Sequence, residues 1–432
     1  MWTNMSTQTV NRKSAALDIA WAREQFPALK LQVNGRTAAF LDGPGGTQVP
    51  QRVIDAVTNY FVESNANVGG AYLTSEHNDA MLAEAHRAVA DLLGCDADEV
   101  SFGQNMSTLT LLLSRAIGRE LKAGDEILLT WLDHDGNVSP WLALEEKGAV
   151  IKRAEVNTAD CTLRLDDLAG KITPRTKVVA VGYASNAVGT INPVKEIVRL
   201  AHAAGALAVI DAVHYAPHGA IDVRDLDCDF LLCSPYKFFA PHSGVMYGKR
   251  AVSSRLRPYK VRAQFDRLPE QWETGTLSHE NIAGVLAAIE YLADVGRHSE
   301  ASASSRRAAL LVAYAAIQVY ECGLMQPLIS GLLAIPGLKL YGITDPARFG
   351  GRTPTVAVRI EGHTPIELAR QLGERGIFTW DGHYFALDLA RRLDVQSSGG
   401  WLRIGLVHYN AAEEVARVVE ELRNIAGRGE QT

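Results

Sequence analysis

Five short stretches of the chain place polar, reactive side chains directly after apolar, β-rich runs. VSFG leads through GQNMST to Met106 and Ser107, LLTW leads to Asp133, His134 and Asp135, and VVAVGY leads to Ser185 and Asn186. ALAVID ends on Asp211 with His214 three residues on, and FLLC leads to Ser234, Tyr236 and Lys237. In an open α/β sheet the ligand lies in the crevice beyond the carboxyl ends of the strands, so five such ends can share one site. Lys237 sits in CSPYKFFAP, between aromatic and apolar neighbours. Those surroundings disfavour an ammonium, and a neutral amine can condense with an aldehyde. They also suit a lysine that merely lays its stem over apolar surface. Asp211 reads as a turn or cap residue, or as a carboxylate that keeps a pyridine nitrogen protonated. Ser107 and the amides of residues 105–108 read as an ordinary helix cap or as a phosphate cradle at a helix start. His134 is a stacking partner for an aromatic ring or a plain loop residue. The other chemistry on offer is a metal-dependent hydrolase built on His214 and His218 with Asp211 and His242, a spacing that needs a helix where Pro217 opposes one.

The elements that must hold these residues follow from the apolar patterning. KVVAVGY, ALAVID and FLLCS are nearly continuous apolar runs, as expected for strands of a mostly parallel sheet covered on both faces. Strands are predicted at 99–103, 126–131, 149–156, 177–183, 206–211, 230–233 and 244–247, and helices at 77–93, 108–121, 139–147 and 193–204. The last helix has Pro193 in its first turn and Gly205 as its stop. Beyond residue 281 the register changes. A helix-like stretch at 281–295 precedes a long helix at 301–320, a strand at 355–360, helical segments from Pro365 and Ala411, and strands near Phe378 and Trp401. The organisation predicted is α/β, with a large domain over 45–285 and a smaller α+β domain over 286–432 that takes in the N-terminal segment 1–44. The turn GPGG at 43–46, which lacks the Gly-Lys-Ser/Thr of a nucleotide loop, is placed near the mouth of the site.

Composition bounds the function. The 432 residues suffice for two or three domains, and 43 Lys plus Arg against 49 Asp plus Glu leave a charge of −6, which argues against a nucleic-acid platform. Hydrophobic residues at 47% and charged residues at 21% are ordinary for a folded chain. No run of eighteen apolar residues occurs and the N-terminus lacks the apolar core of a signal peptide, so no membrane partner and a cytoplasmic location are expected. Cys95, Cys161, Cys228, Cys233 and Cys322 are scattered without the paired spacings of a zinc site and read as reduced thiols, most of them core filler.

The order GQNMST, LDHDGNVSPW, YASNAVGTINPVKEI, VIDAVHYAPHGAIDV, LLCSPYKFFAPHSGVMYG and WETGTLSHENIAG resembles the cysteine desulfurase and selenocysteine lyase branch of the class V aminotransferases. The resemblance runs from LDGPGGTQVP at 41–50 to WLRIGLVHYN at 401–410. It implies a fold-type I enzyme dependent on pyridoxal 5′-phosphate, with a seven-stranded sheet in the large domain. By position, Lys237 would be the internal aldimine lysine, Asp211 the partner of the pyridine nitrogen and His134 the residue stacked on the ring. Asn186 would lie near the 3-hydroxyl, and His214 stands where such enzymes carry glutamine. Met106, Ser107 and Ser234 would hold the phosphate, helped by Tyr236, which replaces a histidine. Thr276 would reach the phosphate of a neighbouring subunit, implying a homodimer with shared sites. Arg403 would grip the substrate carboxylate, its alternative being a strand arginine in a surface ion pair.

One departure decides the expected reaction. Desulfurases carry a loop Arg-x-Gly-His-His-Cys-Ala whose thiolate attacks substrate sulfur, and the matching segment here is Trp380-Asp381-Gly382-His383-Tyr384-Phe385-Ala386. Phenylalanine cannot form a persulfide. The expected function is therefore a lyase or transferase acting on a small amino acid by β-elimination, like a carbon–sulfur lyase, or by β/γ-replacement. An aminotransferase or an amino-acid epimerase is the alternative. With Trp380 in place of the loop arginine, and His383 beside it, the substrate is expected to be bulkier or less anionic than cysteine.

Overall fold

The computed structural model describes residues 16–428. Residues 1–15, on which the signal-peptide reading mostly rests, lie outside them.

All seven predicted strands form and make one sheet: β1 (Val100–Gly103), β2 (Glu126–Thr130), β3 (Val150–Ala154), β4 (Thr176–Gly182), β5 (Leu207–Asp211), β6 (Phe230–Cys233) and β7 (Gly244–Gly248). Their order is β1-β7-β6-β5-β4-β2-β3. Strand β7 runs antiparallel to both its neighbours, and the remaining pairs are parallel. Parallel neighbours need long crossovers, which the helices supply and which bury both faces. Every residue of β2, β6 and β7 is accordingly buried. Because β1 is parallel to β6 through β7, the carboxyl ends of β1, β2, β4, β5 and β6 share one edge of the sheet, where the polar residues cluster.

Helix α1 (Leu73–Leu93) begins four residues before its predicted start. Helix α2 (Met106–Ile117) starts two residues early, because the Asn105 side chain accepts from the Thr108 amide at 2.9 Å and caps it. Ser107 therefore lies inside the first turn rather than capping it. Gly244 makes this start possible: a Cβ there would stand 2.6 Å from the Asn105 backbone, so only glycine lets β7 run against the cap. Helix α3 (Val194–Ala203) connects β4 to β5 as predicted. The helix predicted at 139–147 divides into an α-turn at Ser139–Leu142 and a 3₁₀ stretch at Ala143–Lys147.

Helix α4 (His279–Ser299) leads into α5 (Arg306–Leu333), the longest element. An 18-residue window of α5 has a mean hydropathy of 1.5, enough by length and composition for a membrane span, which a strict count of apolar residues passes over. Half of that window is buried within the chain. Ala309, Leu310, Ala313 and Ile317 join the core of the large domain, whereas Leu324, Leu328 and Leu332 join that of the small domain. The two cores part within α5, between Ile317 and Leu324.

The small domain has an antiparallel sheet of β8 (Leu338–Tyr341), β9 (Thr355–Ile360), β10 (Trp380–Gly382) and β11 (Trp401–Gly405), in the order β8-β9-β11-β10. Helices α6 (Pro365–Glu374) and α7 (Ala412–Arg428) flank it. Ala39–Phe40 pairs in parallel with Ile377–Phe378, and Ala39 and Leu41 join the small-domain core, whereas Phe26, Leu29, Ala38 and Phe40 of the same segment join that of the large domain.

Candidate active site

Lys237 closes a 3₁₀ turn, Pro235–Lys237, that follows β6 with Pro235 in its first position. Its side chain is buried, and Nζ donates to the carbonyl of Pro44 in the GPG turn at Gly43–Gly45. Burial, with Arg403 adding to it, lowers its pKa from 10.5 to about 7. At the end of β5, buried Asp211 accepts one hydrogen bond, from the Val213 amide at 2.9 Å. Burial raises its pKa to about 6. Beside it Asp133 accepts from Thr130 N at 3.0 Å, Thr130 Oγ1 at 2.9 Å and Gly182 N at 2.6 Å, lacing the end of β2 to β4.

His134 Nδ1 accepts from the Gly136 amide at 2.9 Å, which leaves the proton on Nε2. Burial, then the cations of Lys237 and Arg403, hold its pKa down at about 3. The ring is therefore a neutral, flat wall. Asn186 Nδ2 donates to the Tyr384 carbonyl at 2.8 Å, and its Oδ1 is buried without a partner. Ser234 Oγ accepts from the Met106 amide at 3.1 Å. His214 Nε2 lies 3.1 Å from Thr353 Oγ1, and burial keeps its imidazole neutral.

These residues line one cavity: Met106, Ser107, His134, Asn186, Asp211, His214, Ser234, Tyr236 and Lys237. It shares Ser107, His134, Asn186, Tyr236 and Lys237 with an outer space bounded by Pro44, Gly45, Trp380, Tyr384, Phe385 and Arg403. The GPGG turn thus sits at the mouth. Arg403, on β11, is buried, so the surface ion pair is set aside. Its Nη1 donates to the Asn186 carbonyl at 2.8 Å, its guanidinium lies 4.1 Å from the Tyr384 ring centroid, and its Nε has no partner. Burial lowers its pKa to about 10. It remains a cation at neutral pH, in contact with a carbonyl and an aromatic face and within charge range of the Asp42 carboxyl.

One expected residue is placed elsewhere. His383 turns into its own loop, where Nδ1 accepts from the Phe385 amide at 3.2 Å, and it lines neither space. The backbone at Tyr384 (φ 52°) and Phe385 (φ 59°) is left-handed and presents Phe385 to the cavity instead. Thr276 is exposed and borders a different cavity, with Gln104, Thr108 and Arg115. The hydrolase reading loses its ligands to other partners, since His218 Nδ1 bonds to Glu321 at 2.8 Å while His214 faces Thr353. Tyr384 was missed as a site residue. A tyrosine in an aperiodic loop carries no pattern that would reveal its packing on an arginine.

A sequence model of the class V aminotransferases matches residues 39–418. The chain belongs to that family. It is 31% identical to aminotransferase-like protein FGM3 of Gibberella zeae over 95% of this chain and 99% of the relative. It is 31% identical to a cysteine desulfurase of Synechococcus elongatus over 95% of this chain but 64% of that longer relative. An apo cysteine desulfurase from Thermococcus onnurineus NA1 superposes with a TM-score of 0.84 at 25% identity, covering 94% of this chain and 98% of that one. Class V aminotransferases use pyridoxal 5′-phosphate, and this member is a fold-type I enzyme dependent on it.

The cavity fits that cofactor. Asp211 is a buried carboxylate with a single hydrogen bond, Asn186 Oδ1 lacks a partner, and a lysine with a pKa near 7 shares the space with the neutral face of His134. The start of α2 adds amides and a positive dipole end beside Ser107.

Proposed function

We propose that this class V aminotransferase takes the α-proton from an amino acid with Lys237 and expels or replaces a β-substituent, without a persulfide-forming cysteine. Bound pyridoxal 5′-phosphate supplies an aldehyde for amines and a ring that takes up the electron pair left at Cα. Lys237 Nζ would be the amine that attaches the cofactor and the base that takes the proton at Cα. A pKa near 7 leaves much of it unprotonated at neutral pH, as a general base requires. Asp211 would keep the ring nitrogen protonated, and His134 offers its neutral ring for stacking. Asn186 and His214 would serve the phenolic oxygen. Ser107, Ser234, Tyr236 and the Met106 amide would hold the phosphate, joined by Thr276 of a second subunit in a homodimer. Arg403 takes the substrate carboxylate through paired N–H donors, and Trp380 flanks the substrate.

The observation that carries this reading is the pairing of a buried, low-pKa lysine with Phe385 in one cavity. The cysteines offer no substitute nucleophile: Cys233, nearest Lys237 in sequence, is buried in β6 and its thiol is pushed far up by burial. All five cysteines are free, which favours a reducing, cytoplasmic setting. Transamination is the second reading, favoured by the name of the Gibberella relative.

A panel of β- and γ-substituted amino acids separates these outcomes. Elimination gives ammonia and a keto acid without any keto-acid acceptor. Turnover only when an acceptor is supplied would make the enzyme an aminotransferase, loss of optical rotation alone an epimerase, and persulfide on the protein a desulfurase.

A further inference from the structure

We infer that the substrate's side chain is large, uncharged and aromatic, and is seated between Trp380 and Phe385 while Arg403 holds the α-carboxylate. This rests on the proposed function of the Lys237 cavity. Trp380 in β10 is paired directly opposite Arg403 in β11, so the two side chains stand next to each other on one face of the sheet. A group attached near the carboxylate therefore runs along the indole. Trp380 is 50% exposed and Phe385 63% exposed, both at the edge of the outer space. Large aromatics left open over a concave site are suited to a partner that covers them.

The backbone beneath Phe385 points the same way. Two successive non-glycine residues are held left-handed, a conformation that L side chains disfavour. Hydrogen bonds on either side enforce it: Asn186 Nδ2 to the Tyr384 carbonyl at 2.8 Å and the Asp135 amide to the Phe385 carbonyl at 2.7 Å. Strain maintained by its surroundings at a cavity edge marks a side chain that is being aimed. Its ring lies 5.6 Å from that of His134, so the aromatic wall continues to the floor of the site.

The lining offers no spare cation for an acidic side chain. The cations Arg403 and Lys237 are committed to the carboxylate and the amine, His134 is neutral, Tyr236 and Tyr384 are phenols, and Asp135 is a carboxylate that accepts from Ser139 Oγ at 2.8 Å. The outer space, about 460 Å³, exceeds what a three-carbon amino acid fills.

The test is titration calorimetry of the cofactor-loaded protein with unreactive carboxylates: propanoate, 3-phenylpropanoate, succinate and 6-aminohexanoate. 3-Phenylpropanoate binds at least tenfold tighter than the other three. Phe385→Gly and Trp380→Ala each remove about tenfold of that affinity and leave propanoate unchanged, and Phe385→Gly melts no earlier than wild type. Succinate or 6-aminohexanoate binding as tightly as 3-phenylpropanoate, or both variants binding 3-phenylpropanoate unchanged, would overturn the inference. A borohydride-reducible imine that persists in Lys237→Ala would instead refute the site assignment, so the two failures are distinguishable.

Discussion

Replacing Lys237 with methionine should stabilise the cofactor-free protein, and by an amount that depends on pH. The lysine has a pKa of about 7 in the fold against 10.5 when unperturbed, because burial penalises its charge. The unfolded chain therefore binds one more proton than the fold between pH 7 and 10.5, and wild-type stability rises with pH across that window. Below pH 7 the lysine is charged in both states and the whole penalty is present. Above 10.5 it is neutral in both and the penalty is gone. At about 1.4 kcal/mol per pH unit the penalty amounts to about 5 kcal/mol. Lys237→Met removes it, so the variant should exceed wild type by about that much at pH 6–7, and the gap should close toward pH 10.5. With an m-value of about 3 kcal/mol/M, the urea midpoints at pH 7 differ by roughly 1.5 M. Titrating groups remote from Lys237 are common to both proteins and cancel in the difference, whereas Asp211 and His134, which feel its charge, are smaller contributors to the gap than its burial. A gap that is constant from pH 6 to 10, or that widens as pH rises, would show a lysine not destabilised by burial and would refute the reasoning.

Arg403→Gln leaves the α-carboxylate without its charged partner, and the KM or Kd for amino-acid carboxylates should rise by about 10²-fold or more, the scale of a lost charge-assisted pair. Asp211→Asn cannot hold a ring nitrogen protonated, and kcat should fall by about 10²- to 10⁴-fold, with the pH dependence of the cofactor's visible band altered. Phe385→Gly relieves the left-handed φ of 59° at an exposed side chain, so denaturant unfolding should show a gain of about 1 kcal/mol while turnover drops, which is the trade expected of a strained site residue.

The large sheet was legible because strands covered on both faces must be apolar almost throughout, and VVAVG, LAVID and FLLC are. The same logic located Lys237, Asp211, His134 and Asn186, since strand ends need no register to be found. What depended on register was hidden. Nothing in the chain announces that Trp380 pairs with Arg403, twenty-three positions away, nor that α5 crosses from one core to the other as an unbroken helix. The start of α2 was missed because Asn105 caps through its side chain, which reads as loop. Phe385 and His383 could not be told apart as cavity residues, because a left-handed backbone is signalled by glycine or asparagine, and Tyr384 and Phe385 are neither.

The measurement that bears most directly on the account is peptide mapping after borohydride reduction of the protein loaded with pyridoxal 5′-phosphate. The account predicts a single pyridoxyl adduct, on Lys237, absent from Lys237→Ala. An adduct on any other lysine, or a protein that holds the cofactor with no adduct at all, would contradict it.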